Sequence, residues 1–528
     1  MRAAAARGLP HGGGEALEDP SNHVRLGRLW LAGLAAALVL YVATLAPDLA
    51  WQDSGDYQYE AARLNFSRPG DAVRVHPWFL LTAWLLGRVE WWNYAYAANL
   101  SSAIGTAVAV ANVLVLGRLV TGRLWPAVVG AGSFAVGHAV WSHAVVAETY
   151  GWAAAFLSAE CLCAWAFLAH RRVRWILLLF LIDGVAISNH LMAGLGLAVF
   201  TVWVLVTCVR GRAPWWSVPA GLACWLVGGT LYWIVAAMEY SRTGSAAETL
   251  RAITVGRWAG QVFNLADLPG LFARSAQYVA LNYPTPLVLA IPIGAVALLR
   301  RREAMSRLVL VLGAVYLLWA ARYKVVDQYA FFIPFYVLAS VMVAAGARAV
   351  LDRVGRWGPA ALVLAALVPV AVYAVLPTVG RRMEFPKFDR VLPYRDSYAY
   401  FLRPWQTGNE GPRRFARETL ESLPAGAVLF TDATPRPPLV CLQALEAVRP
   451  DVRLAVPGGL APEMVGRYWN SRRNLMPEFA AEGRRVFVVS DHPAYMPGWI
   501  AAHTKRVPFG LVFEVVDAAG GRPVEVGK

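Results

Sequence analysis

Charge is scarce in this chain. Only 16% of its 528 residues are Asp, Glu, Lys or Arg, against about 25% in soluble domains. Lysine is nearly missing, with Lys324, Lys387, Lys505 and Lys528 the full set. Cysteine is sparse too. Cys161, Cys163, Cys208 and Cys224 fall inside apolar runs, where thiols pack as small hydrophobes, and Cys441 stands alone. That excludes a disulfide framework, and no spacing suits a metal. There is no internal repeat, and no low-complexity tract beyond the Gly-rich start. Residues 1–27 are polar and read as a cytoplasmic tail. No cleavable signal sequence precedes the first apolar run, which is expected to stay as an anchor.

Apolar residues are what the chain has in excess. They make up 58% of it, and the mean hydropathy is +0.45. Stretches of about 17–25 residues recur from Arg28 to Leu376, each long enough to cross a bilayer core of roughly 30 Å. One soluble core cannot absorb them all, so the bilayer must be their solvent. The predicted fold class is an α-helical polytopic membrane protein with about eleven transmembrane helices. They lie near 28–46, 95–117, 124–145, 147–169, 175–190, 191–209, 215–238, 283–299, 305–320, 328–346 and 358–376. A further apolar stretch, His76–Val89, is too short to span and suits an interfacial or re-entrant helix.

The net charge of +15 does not point to nucleic acid. The arginines sit in short clusters between apolar runs, as in cytoplasmic loops. With a cytoplasmic N-terminus and a non-crossing His76–Val89, five clusters land inside. These are Arg118/Arg123, Arg171/Arg172/Arg174, Arg210/Arg212, Arg300–Arg302 and Arg348/Arg353/Arg356. If the short stretch crosses, all five move outside. The first topology is therefore expected, with an extracytoplasmic C-terminus.

Residues 28–378 then form the transmembrane domain, with a first outer loop at 47–94, and 379–528 form a soluble domain. Gly426–Phe430, Arg453–Val456 and Arg485–Ser490 read as strands and Pro437–Val448 as a helix, a small α/β unit. Two strands end in acids, Asp432 and Asp491. Such acids either cap following helices or bind ligand at the strand ends.

Polar candidates gather on the outer face in this topology. The first outer loop opens Trp51-Gln52-Asp53-Ser54-Gly55-Asp56. Carboxylates three residues apart share a face if the segment is helical. His76-Pro77 follows. His143, Glu148 and Tyr150 lie between the third and fourth spans, Asn189-His190 between the fifth and sixth, and Arg322, Tyr323, Lys324 and Asp327 between the ninth and tenth. Arg322 and Lys324 break the positive-inside pattern, which an anionic phosphate would explain; a simple ion pair with Asp327 is the alternative. Asp183 is the one clear midplane carboxylate, a functional candidate or a helix-to-helix hydrogen bond. His138 reads as a packed histidine.

Together these motifs resemble the GT-C superfamily of membrane glycosyltransferases, and within it a bacterial family related to a vertebrate protein O-mannosyltransferase. The resemblance rests on Trp51-Gln52-Asp53-Ser54-Gly55-Asp56, His76-Pro77, Ala147-Glu148-Thr149-Tyr150 and Arg449-Pro450-Asp451-Val452. It departs where that family has Glu in place of Asp56 and continues His-Pro-Pro-Gly in place of His76-Pro77-Trp78-Phe79. It implies transfer of a sugar, mannose among the candidates, from a polyprenyl-phosphate donor in the membrane lipid to an acceptor hydroxyl. Asp53 would be the base and Asp56 would orient the acceptor or share that role. His76, Arg322 and Lys324 would hold the phosphate, with Glu148, Tyr150, His190 and Asp327 lining the site. The donor is a substrate, and no cofactor is implied. The rival readings are a transporter or flippase, which would favour paired halves and midplane charges, and a non-catalytic envelope-assembly protein.

Overall fold

The structure, a computed structural model, describes residues 20–262, 264–352, 358–457 and 468–517. Every one of the eleven apolar stretches is helical in it. Among the described residues, six helices are long and apolar enough to cross a membrane: Val24–Ala43, Tyr94–Thr121, Tyr150–His170, Ala304–Arg322, Gln328–Leu351 and Gly358–Met383. Two more spans arise if each bent pair counts as one. Those are Leu124–Ala135 with His138–Ala144, bent by 63°, and Ser217–Gly228 with Thr230–Thr243, bent by 66°. The remaining stretches are the shorter helices Arg174–Asn189, Ala193–Val209 and Ala290–Arg301. The chain is a multi-pass membrane protein.

Two helices form the centre of the bundle. Tyr94–Thr121 is buried along most of its length and Ile333–Leu351 almost throughout. The first carries small residues on every side, among them Ala98, Ser102, Gly105 and Ala111. Small side chains let neighbouring backbones approach closely where lipid removes any hydrophobic drive between helices. Asn112 pairs both ends of its side-chain amide inside this centre. It accepts from Trp30 Nε1 at 2.8 Å and donates to Ser158 Oγ at 3.1 Å. The peripheral helix Gly358–Met383 instead shows most of its surface outward.

The short apolar stretch forms the 10-residue helix Pro77–Leu86, with proline in its first turn, where a missing N–H costs nothing. Ahead of it lies the 12-residue helix Gln52–Arg63.

The C-terminal unit contains a five-stranded sheet ordered β2-β1-β3-β5-β4. Strands β1 (Val428–Phe430), β2 (Arg453–Ala455) and β3 (Val486–Val488) are parallel, and β4 (Thr504–Phe509) and β5 (Val512–Asp517) add an antiparallel hairpin. The three parallel strands are the expected ones, shorter at their ends. The hairpin was not expected: Thr504-Lys505-Arg506-Val507-Pro508 is polar and carries a proline, which an edge strand tolerates. Gly510 turns it with φ +57°. One core of this unit includes Leu49 and Trp51 from the first loop, packed among Phe415, Leu420, Leu429 and Leu439. The loop and the C-terminal unit are thus built on shared apolar contacts.

Candidate functional site

Helix Gln52–Arg63 presents its two acids differently. Asp53 lies in its first turn, with about half its side-chain surface open (53%). Asp56 is buried, 3% exposed. A three-residue offset rotates a side chain by about 60° around a helix. Here that rotation carries Asp56 beneath the C-terminal unit, so the acids do not share one open face. Arg436, in the first turn of helix Arg436–Glu446, pairs with Asp56 Oδ2 and also donates to the Pro457 carbonyl at 3.0 Å. Asp56 Oδ1 has no hydrogen-bond partner. Burial raises the Asp56 carboxyl above its usual range, and Arg436 pulls it back down.

The docking is tight. A Cβ on Gly55 would lie 2.4 Å from the Ala50 carbonyl oxygen and 2.5 Å from Pro437 Cβ, so only glycine fits. Gln52 has φ +58°, a left-handed conformation rare for a non-glycine residue. Its backbone N–H donates to the Thr434 carbonyl at 3.1 Å. Arg413 bridges Asp48 and Glu446, and Tyr94 Oη donates to Glu446 at 2.9 Å. The C-terminal unit therefore holds the backbone on which Asp53 stands.

Around Asp53 the charges are close. Arg74 lies 3.2 Å from Asp53 Oδ1 and 3.9 Å from Asp71 Oδ2, and Arg257 reaches Asp71 at 3.4 Å. Ser54 Oγ donates to Glu148 Oε1 at 2.9 Å. Ser102 Oγ accepts from the Glu148 N–H at 2.8 Å and donates to its carbonyl at 2.9 Å, which fixes that residue's backbone. Burial, then the charge of Asp53, pushes the Glu148 carboxyl well above its ordinary range. Asp327 is open to solvent, yet walled in closely enough that burial and Asp53 raise it to about 6. Asp53, Glu148 and Asp327 lie close enough to feel one another's charge.

Aromatic rings form a cluster of their own. His76 stacks on His190 with centroids 5.1 Å apart, and Tyr150 lies 5.5 Å from both His190 and Phe331. Tyr323 packs on Phe331 at 4.7 Å. His76 Nδ1 lies 2.7 Å from the Asn189 carbonyl oxygen. A carbonyl can only accept, so Nδ1 carries the proton. Burial and the neighbouring His190 hold the His76 pKa well below its ordinary value. His76 is therefore neutral, with Nε2 as an acceptor, and cannot supply positive charge to a phosphate.

Of the sequence candidates, Asp53, His76, Glu148, Tyr150, His190 and Asp327 come together through these contacts. Asp56 sits behind them, paired with Arg436 in a latch between the first loop and the C-terminal unit. Arg322 is half-buried and Lys324 exposed on the loop that carries Tyr323 and Asp327. Among the described residues neither makes an ion pair, so a Lys324–Asp327 pair does not account for them. Sequence reasoning missed Arg74, the cation at Asp53, and Arg436. Arg74 stands two residues before His76 and could have been found as the basic residue nearest that motif; Arg436 carried no such signal. His138 is buried against Tyr373, as expected. Asp432 accepts from the Thr434 N–H and is paired with Arg390 at 2.6 Å, a structural role. Arg449 donates to the Leu420 and Leu423 carbonyls and pairs with Asp451 at 2.7 Å, so that motif staples the end of helix Gly411–Ser422.

No protein-family model matches this chain, and no curated protein matches it in sequence. Solved structures do match its fold. ArnT from Cupriavidus metallidurans bound to undecaprenyl phosphate superposes with a TM-score of 0.59 at 12% identity, over 93% of this chain and 99% of that one. ArnT in the apo state gives 0.57 at 14% identity, over 95% and 100%. This chain has the GT-C fold. The Archaeoglobus fulgidus oligosaccharyltransferase, also of the GT-C superfamily, matches with a TM-score of 0.47 at 14% identity, over 87% of this chain and 67% of its own.

Proposed function

We propose that this protein is a GT-C glycosyltransferase that moves a sugar from a polyprenyl-phosphate donor to an acceptor hydroxyl at the outer membrane face. The observation that carries the reading is Asp53. It is an open carboxylate on a strained turn, beside Arg74 and facing Glu148 and Asp327, in a chain with the GT-C fold. The ArnT structure that holds undecaprenyl phosphate supports the donor class.

In this reading Asp53 accepts the proton of the acceptor hydroxyl as its oxygen attacks the anomeric carbon. The bond from that carbon to the phosphate oxygen breaks, and polyprenyl phosphate leaves with the electron pair. Displacement from the opposite face inverts the anomeric centre. Negative charge growing on the phosphate needs fixed cations, for which Arg74, Arg322 and Lys324 are the candidates. Glu148, held neutral, donates a hydrogen bond to substrate rather than competing as a base. Asp56 acts through the latch and keeps the Asp53 turn in place. The lipid tail lies between helices, and the C-terminal unit faces the same side as the site.

The test incubates the purified protein with a panel of polyprenyl-phosphate sugars, mannose first, and follows release of polyprenyl phosphate. Release that requires one sugar supports the reading. A protein that binds such lipids but moves them across vesicle membranes without cleavage would instead be a flippase.

A further inference from the structure

A second set of acids lies inside the membrane domain. Glu160, on helix Tyr150–His170, is 2% exposed, and Asp183, on helix Arg174–Asn189, is fully buried. Glu160 went unnoticed in the sequence because it sits within an otherwise apolar run beside Cys161. A small cavity lined by Glu160, Tyr316, Met192, Pro334 and His190 lies between Glu160 and the histidine stack.

The oxygens here converge. A methyl group on Gly196 would lie 3.2 Å from Tyr316 Oη, 3.4 Å from Glu160 Oε2 and 3.6 Å from Asp183 Oδ2. Three helices thus aim one oxygen each at the space that Gly196 leaves empty. The donors nearby are already committed. Tyr316 Oη gives its hydrogen to the Met192 carbonyl at 3.3 Å, and Trp225 Nε1 donates to Asp183 Oδ1 at 3.0 Å. Among the described residues Asp183 Oδ2 has no hydrogen-bond partner, and no arginine or lysine contacts either carboxyl. Two carboxyl oxygens and a phenol therefore face one another with no cationic side chain between them, and an ionised carboxylate here is costly unless a proton or a bound cation offsets it.

We infer that Glu160, Asp183 and Tyr316 form a binding site for one small monovalent cation of the sodium kind, within the membrane domain and distinct from the Asp53 site. All the groups are hard oxygens, which select hard cations. Magnesium demands six oxygens in near-ideal octahedral array and calcium six to eight; this site offers about half that number. A single positive charge offsets one carboxylate, and the other keeps its proton or leans on the Trp225 N–H. Gly196 supplies the room. The inference does not depend on sugar transfer.

The full-length protein in lipid nanodiscs is tested for binding of radioactive sodium ion. Wild type should bind about one ion per chain, and Asp53→Asn should bind equally. Gly196→Ala keeps both acids but fills the space between them. It should weaken binding by more than the roughly 10–100-fold that losing an outer-shell partner costs, as should Glu160→Gln and Asp183→Asn. On wild type alone, carbodiimide should label Glu160 or Asp183 in choline chloride, and sodium chloride should suppress the labelling. No saturable sodium binding to wild type, binding unchanged in all three variants, or labelling indifferent to sodium would each overturn the site and leave a pair that merely keeps its proton.

Discussion

Arg436 and Asp56, 380 residues apart in the chain, form a buried ion pair that ties the C-terminal unit to the helix bearing Asp53. Neither residue is more than 8% exposed. Removing one partner of such a pair leaves the other charge buried and unmatched, at a cost of about 3–5 kcal/mol. Arg436→Met should lower the unfolding temperature sharply and abolish turnover, because the Asp53 turn loses its support. Asp56→Asn combined with Arg436→Met should be more stable than Arg436→Met alone. A double-mutant cycle on thermal unfolding measures this. Additive losses would mean that the pair carries no coupling.

Glu148 should behave as a neutral acid at pH 7, since burial and Asp53 raise its carboxyl well above the ordinary range. Glu148→Gln keeps a hydrogen-bond donor of the same shape and should retain turnover within a few-fold. Glu148→Ala leaves Ser54 without its acceptor and should lose at least about tenfold, as expected for an unpaired buried polar group. Equal, severe losses in both variants would instead assign Glu148 an ionised role.

Burial and the neighbouring Asp53 raise the Asp327 carboxyl above the usual carboxylate range, to about 6. Below that pH it is neutral and the site holds one negative charge fewer. Donor binding, measured as KM for a phosphate-bearing lipid, should therefore weaken as pH rises through about 6. Asp327→Asn should flatten that dependence and leave the low-pH KM in place at all pH values. An unchanged profile would place Asp327 outside the donor path.

The arginine clusters predict which side each segment occupies. In a cysteine-free background, Ala480→Cys should react with an impermeant thiol reagent added from outside, and Arg172→Cys should not. Both positions are exposed, so access alone decides the result. The reverse pattern would invert the topology and move the site to the cytoplasmic face.

Much of this architecture was legible because it is written in local patterns. Hydropathy marked each apolar helix, and the length of Pro77–Leu86 set it apart from the spans. Asp53, His76, Glu148 and His190 stood out as polar residues at the ends of apolar runs, and one face gathers them. The latch was not legible. Arg436 lies one residue before the expected helix Pro437–Val448, among prolines, and no local feature of Asp56 names a partner so far along the chain. Packing of the loop against the C-terminal unit decides that contact. Glu160 was hidden by its apolar neighbours, and only the approach of helices Arg174–Asn189 and Ala304–Arg322 makes it one of a set. The β4–β5 hairpin lacked apolar alternation because β4 is an edge.

The central claim is that Asp53 removes the acceptor's proton. The direct measurement is turnover of a polyprenyl-phosphate sugar by wild type and by Asp53→Asn, with donor binding followed in parallel. Asp53→Asn preserves shape and removes the base, so turnover should fall by about 10²–10⁴-fold, the usual worth of a positioned base, while donor binding stays within a few-fold of wild type. An Asp53→Asn protein that turns over as fast as wild type would contradict the account.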